Sequence, residues 1–184
     1  NFDALKPYIS EYTMYFHHDK HYKDYVNKLN NLLKNSPMMQ NVPLEALTKM
    51  GDAEISRNAG GVYNHELYFD SLTPEKKEPS ANMKNLINRS FGSEKELQNE
   101  LVDMGTNFNG SGWIWLAAAP DKSLELILTP NQETIDFDKL TPLFNVDLWE
   151  HSYYLDKQNR RRDYLNAVMD IIDWEKAEER LGNQ

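Results

Sequence analysis

The sequence predicts an α+β fold: an N-terminal antiparallel helical hairpin, then a C-terminal domain of helices around a small three-stranded antiparallel sheet. Three observations carry this. Two long N-terminal stretches repeat apolar residues every three or four positions. The segment Thr73–Ser80, with Pro74, Pro79 and a run of Glu and Lys, reads as a linker. Beyond it, two short apolar runs flank Pro120-Asp121-Lys122-Ser123, which reads as a strand, a turn and a strand.

Taken in order, Tyr15, His18, Tyr22, Tyr25, Val26, Leu29, Leu32 and Leu33 place one long amphipathic helix between Ser10 and Asn35, closed by Ser36-Pro37. A short helix around Leu44–Met50 follows Pro43. A second long pattern runs from about Asp52 through Leu72 and stops at Pro74. Gly60-Gly61 inside it is costly in a helix and so requires close backbone packing or an unusual local need. Ser93-Glu94-Lys95-Glu96 is a capping box that opens a helix to about Asn107, and Gly110-Ser111-Gly112 breaks the chain. Trp113–Ala118 and Leu124–Thr129 are the hairpin strands, Leu143–Asp147 is a third, and the last forty or so residues return to helix. The predicted domains are 1–75 and 76–184.

Composition narrows the chemistry. The chain of 184 residues has no cysteine, which removes disulfide scaffolds, thiolate-bound zinc, iron–sulfur clusters and thiol nucleophiles. A net charge of -9 argues against nucleic acid or an anionic membrane as partner. The mean hydropathy of -0.74, with no apolar run of membrane-spanning length, indicates a soluble protein. Asn1 begins the chain without a signal-peptide pattern, so it reads as a mature or trimmed end. The cytoplasm is the default compartment, with export left open.

Histidine is scarce, at His17, His18, His21, His65 and His151. His17, His21 and Tyr25 follow one another at four-residue steps and project from one helix face, a spacing that can offer two imidazoles to a metal. An antiparallel partner helix could bring His65 opposite His17. Asp147 and His151 form a second i, i+4 pair where the third strand gives way to helix, with Trp149 and Glu150 between them. Three imidazoles and one carboxylate suit iron, manganese or zinc, whereas calcium and magnesium want more oxygens. Two other classes compete: a non-haem iron oxygenase, which needs only two histidines and a carboxylate, and a helical metal-storage or interaction protein.

Several motifs then agree in order. They are His17-His18-Asp19-Lys20-His21 with Tyr25-Val26; Ala59-Gly60-Gly61 with Asn64-His65; Gly110 to Leu116; and Asp147 to Asp156. Asn159-Arg160-Arg161, Asp163-Tyr164 and Asp173-Trp174 follow. From about Tyr8 to Trp174 the chain resembles the iron/manganese superoxide dismutases.

The resemblance implies disproportionation of superoxide to dioxygen and hydrogen peroxide at one manganese or iron ion. It makes His17, His65, Asp147 and His151 the protein ligands, with solvent as the fifth. His21 and Tyr25 become the gateway, and Gln132 the residue that hydrogen-bonds the solvent. Trp113, Trp115 and Trp149 become apolar walls, with His18 a packing or hydrogen-bonding residue. Lys20 and Arg161 are candidates for attracting the anionic substrate. Glu150 and Tyr154 would reach a partner subunit, giving a homodimer with its sites near the interface and leaving a tetramer open.

Gln132, on the loop after the second strand, matches manganese-type members; iron-type members supply the glutamine from the position of Gly61. Tyr63 resembles the aromatic of iron-type chains. Val62, Phe69, Tyr22 and Arg162 also depart from common family residues, though none is an implied ligand. Manganese is favoured, with iron or either metal open.

Overall fold

The computed structural model describes residues 1–182. Helix α1 (Glu11–Phe16) passes without a break into a π-helical segment, His17–Tyr22, and then into α2 (Lys23–Lys34). Ser10 caps the start, its hydroxyl accepting from the Thr13 backbone N–H at 3.1 Å. In the π segment the Lys23 N–H reaches the His18 carbonyl, five residues back. Such widened turns recur at functional sites, because they re-aim side chains without ending a helix. The apolar periodicity gave no sign of it.

A 3-10 turn (Pro37–Met39) and α3 (Leu44–Leu47) lead to α4 (Ala53–Asp70). Asp52 caps α4 by accepting from the N–H groups of Glu54 and Ile55. Helix α4 packs against the first helix and completes the hairpin. The Tyr22 hydroxyl donates to Glu66 at 2.9 Å and ties the two arms together. Leu29, Leu47, Ile55, Ala59 and Val62 form a small core of their own, while Leu67 and Tyr68 enter the main core of the C-terminal half. The lower turns of α4 therefore belong to both units.

The stretch expected to be a linker contains no helix, but it is fastened. The Thr73 N–H donates to the Ile171 carbonyl at 2.9 Å, and Lys77 pairs with Asp173 and Glu175. Helix α5 (Ala81–Phe91), capped by Ser80, was not anticipated. Its polar surface leaves only Met83 and Ile87 fully buried, too sparse a stripe to stand out. Helix α6 (Glu94–Asn107) starts as expected, with the Ser93 hydroxyl accepting from the Glu96 N–H at 3.0 Å.

Strands β1 (Gly112–Ala118), β2 (Leu124–Pro130) and β3 (Thr141–Asp147) form an antiparallel sheet of order β2-β1-β3. The central strand β1 is buried along its whole length. Its register sets Trp113 beside Asp147 on one side and beside Thr129 on the other. The terminal region is a 3-10 turn (Glu150–Ser152) and three separate helices, α7 (Tyr154–Lys157), α8 (Arg161–Met169) and α9 (Trp174–Gly182). Among the described residues, no helix is long and apolar enough to cross a membrane.

Candidate metal centre

Three elements converge where the hairpin meets the sheet. The π segment delivers His17, α4 delivers His65, and the end of β3 with the turn after it delivers Asp147 and His151. One ligand atom from each lies within 4.8 Å of all the others. Asp147 and His65 are fully buried, His17 nearly so, and His151 is partly exposed.

The polar atoms fit a cation. His17 Nε2 sits 2.9 Å from Asp147 Oδ2, and His65 Nε2 3.9 Å from the same oxygen. Both nitrogens are nevertheless buried without a hydrogen-bond partner. Buried polar atoms left unpaired cost of order 1–3 kcal/mol each unless something satisfies them. His65 Nδ1 lies 2.6 Å from the Gly61 carbonyl, so Nδ1 carries the proton and Nε2 presents a lone pair. Burial, with His17 nearby, pushes His65 down to about 3, and burial likewise lowers His17. Burial alone would raise the Asp147 carboxyl, but His151 and His17 hold it below the usual carboxylate range. Three imidazoles and one carboxylate make a nitrogen and oxygen donor set suited to manganese or iron.

Around these four, the structure places His21 with its ring stacked on His151, centroids 3.9 Å apart and planes at 14°. Burial, followed by His151 and His17, pushes His21 down to about 4. Four-residue spacing had made His21 as good a ligand candidate as His17; the structure sets it against another ring at the cluster's edge.

Tyr25 lies 5.5 Å from His65, ring to ring. Its hydroxyl accepts from Gln132 Nε2 at 3.2 Å. Gln132 Oε1 in turn accepts from Trp113 Nε1 and Asn64 Nδ2, both at 3.1 Å. With both donors on the oxygen, the amide has one possible orientation, nitrogen toward Tyr25. Gly60 and Gly61 make room for this arrangement. A Cβ on Gly60 would fall 2.1 Å from the Gln132 carbonyl oxygen, and one on Gly61 2.4 Å from Tyr25 Cδ1. The close packing inferred from these glycines is thus against the two polar residues of the site.

Trp113 walls the cluster 5.1 Å from His65, and Trp149 lies 5.8 Å from His151. Trp115 stands farther back, donating to Thr129 at 2.9 Å and facing Tyr63 rather than a histidine. His18 is part-exposed among Phe2, Tyr22 and Phe69, with Nδ1 2.8 Å from Asp19 Oδ1. Tyr68 and Phe69 pack on His17 at 5.2 and 5.0 Å and were missed as site residues. Their spacing of three and four from His65 on one helix could have found them.

Arg161 is placed differently from expectation. Its guanidinium donates to the carbonyls of Gly105, Phe108 and Gly110 and to the Tyr153 hydroxyl. With its donors spent on the chain after α6, it braces that loop and does not line the opening beside His21 and Tyr25. Glu150 and Tyr154 are exposed and border a cavity of about 410 Å³ with Tyr12, Phe16 and Leu155, next to His21 and His151.

Comparison with known proteins agrees with this geometry. Residues 1–73 match the alpha-hairpin domain of the iron/manganese superoxide dismutases, and residues 79–180 match the C-terminal domain of the same family. A superoxide dismutase of Thermus thermophilus named for Mn is 38% identical over 186 residues, covering 97% of this chain and 91% of its own length. A Staphylococcus aureus superoxide dismutase named for Mn/Fe is 38% identical over 184 residues, covering 97% of this chain and 92% of its own length. The chain belongs to the iron/manganese superoxide dismutase family.

Proposed function

We propose that His17, His65, Asp147 and His151 hold one manganese or iron ion, and that this centre disproportionates superoxide to dioxygen and hydrogen peroxide. The observation that carries the ligand assignment is the pair of buried, unpartnered nitrogens, His17 Nε2 and His65 Nε2, beside a buried ionised carboxylate. An ion held there would supply the one-electron redox chemistry that the disproportionation of two superoxide ions needs.

The chain's own residues do the rest. Trp113, Tyr68 and Phe69 keep bulk water off the histidines. The overall reaction consumes two protons for two superoxide ions, so a proton route must reach the centre. Tyr25 and Gln132 form it: burial raises the phenol above its ordinary value, which keeps it protonated, and its oxygen is held by the Gln132 amide. His21 stands at the outer end, between Tyr25's helix face and His151.

Manganese is the preferred ion. Gln132 comes from the loop after β2, as in manganese-type members, and the relatives carry Mn or Mn/Fe in their names. The working unit is a homodimer, joined through the exposed face of Tyr12, Tyr154 and Leu155, with Glu150 and Tyr154 reaching the second active site. The cytoplasm remains the default compartment.

The test is stopped-flow superoxide decay with protein stripped of metal and reloaded separately with manganese and iron. Acceleration with manganese, and less with iron, is expected, and similar rates with both would overturn the preference for manganese. No acceleration with either would reject the assignment.

A further inference from the structure

The net charge of -9 sets a problem for a protein whose substrate is an anion. Long-range repulsion must be offset locally where the substrate enters. The opening beside the candidate centre is a cavity of about 710 Å³ bordered by His21, Tyr25 and Trp149. Four basic residues, Lys20, Lys23, Lys28 and Arg57, and two acidic ones, Asp19 and Asp24, also line it.

The acidic charges are engaged. Asp24 pairs with Lys28 at 2.6 Å, and Asp19 Oδ1 is held by His18 Nδ1 at 2.8 Å. The His18 hydrogen bond leaves the Asp19 charge in place, and Lys23 and Lys20 act on it as well, but the basic residues of the lining outnumber the acidic ones four to two. Among the described residues, no carboxylate lies within 4.0 Å of Lys20, Lys23 or Arg57. Lys20 Nζ lies over the Tyr15 ring, 5.4 Å from its centroid. Arg57 is exposed on α4, its side chain has no hydrogen-bond partner among the described residues, and it lines the opening together with the lysines of the first helix. The field of Arg57 also reaches the Tyr25 hydroxyl.

We propose that Arg57, with Lys23 in the same lining, is the residue that draws superoxide into the opening at His21 and Tyr25. This is the part expected of Arg161, whose guanidinium is committed to backbone carbonyls. A guanidinium keeps its charge at every working pH, so the attraction persists wherever the protein is folded. It weakens with salt, because the group is exposed to solvent and the Debye length falls to about 10 Å at 0.1 M.

The inference rests on the dismutase reading for its substrate, but anion attraction can be measured without metal or superoxide. Trp149 is the part-exposed tryptophan at this mouth, whereas Trp113, Trp115 and Trp174 are 0, 0 and 7% exposed. Fluorescence quenching by iodide, compared with neutral acrylamide, therefore reports the local anion concentration. At low ionic strength Arg57→Gln should lower the iodide quenching constant about two- to threefold, the size expected for one charge several ångströms away in water. Acrylamide quenching should stay unchanged, Arg57→Lys should stay near the native value, and about 0.5 M salt should remove the difference.

In manganese-loaded protein, Arg57→Gln should lower kcat/KM by a similar factor at low salt and not at high salt. Equal iodide quenching in native protein and Arg57→Gln would overturn the proposal. So would a changed quenching ratio with unchanged kcat/KM, since the attracted anion would then not be the substrate. Failure of the dismutase reading looks different: the loaded native protein leaves superoxide decay unaccelerated while the iodide effect persists.

Discussion

Gln132 donates through Nε2 to the Tyr25 hydroxyl across 3.2 Å, joining residues that stand 107 positions apart in the chain. The bond links the loop after β2 to the hairpin at the edge of the candidate centre. Gln132→Leu removes it and also strips the acceptor from Trp113 Nε1 and Asn64 Nδ2, both buried. Each orphaned donor costs about 1–3 kcal/mol. The variant should unfold at lower urea than the native protein and lose at least tenfold in superoxide decay rate. Gln132→Glu keeps an acceptor for both donors and should recover most of the stability without recovering the rate.

Gly61→Ala should disturb the same pair from the other side. The added methyl would meet the Tyr25 ring at 2.4 Å, so the ring must move and the bond to Gln132 must stretch. Overpacking of this kind costs about 1–3 kcal/mol, more than the helix propensity gained. Gly51→Ala is the control, since nothing lies within 4 Å of its added carbon. Thermal melts should show a lowered midpoint for the first variant and little change for the second.

Removing the metal should destabilise the protein, because His17 Nε2 and His65 Nε2 then stay buried without partners. Stripped protein should melt lower, and added manganese should raise the midpoint in a concentration-dependent way. His65→Ala should abolish metal retention in elemental analysis after gel filtration. A fully loaded His65→Ala protein would show that the ligand set is chosen wrongly.

An acid-sensitive clasp lies at the outer end of the same loop. Lys49, just after α3, contacts Asp136 at 3.2 Å and Asp138 at 2.8 Å, and Lys139 adds a contact to Asp136 at 3.0 Å. Lys139 and then Lys49 push the Asp136 carboxyl from 3.8 down to about 2. A depressed carboxyl stabilises the fold above its unfolded value, and that contribution is lost as pH falls through the folded one. The urea midpoint should therefore drop between about pH 4 and pH 2, and Asp136→Asn should show a shallower drop over that window.

Much of this was legible in the chain. The capping box at Ser93 and the Pro120–Ser123 turn left clear marks, because caps and turns are local chemistry, whereas the caps at Ser10 and Asp52 were found only as the ends of periodic stretches. The π segment left none: its widened turns keep His17 and His21 near one face, much as an α-helix would. Helix α5 hid behind a sparse apolar stripe, and the C-terminal helical region gave no sign of its division into three.

The candidate site was legible only in part. Spacing could pair His17 with His21 and Asp147 with His151, but whether His65 joins them depends on how α4 crosses the first helix. That crossing depends on Gly60 and Gly61 admitting Gln132 and Tyr25, which no local pattern states. Motif order supplied the grouping that periodicity could not. Arg161 shows the opposite limit: a charged residue beside a motif looks free in sequence, and its four acceptors come from elsewhere in the chain.

The most direct test of the account is to locate the metal. A crystal of manganese-loaded protein, measured at the manganese absorption edge, should give one anomalous peak per chain. That peak should lie about 2 Å from His17 Nε2, His65 Nε2, His151 Nε2 and one Asp147 carboxylate oxygen. No peak at that point, or a peak held by other side chains, would contradict it.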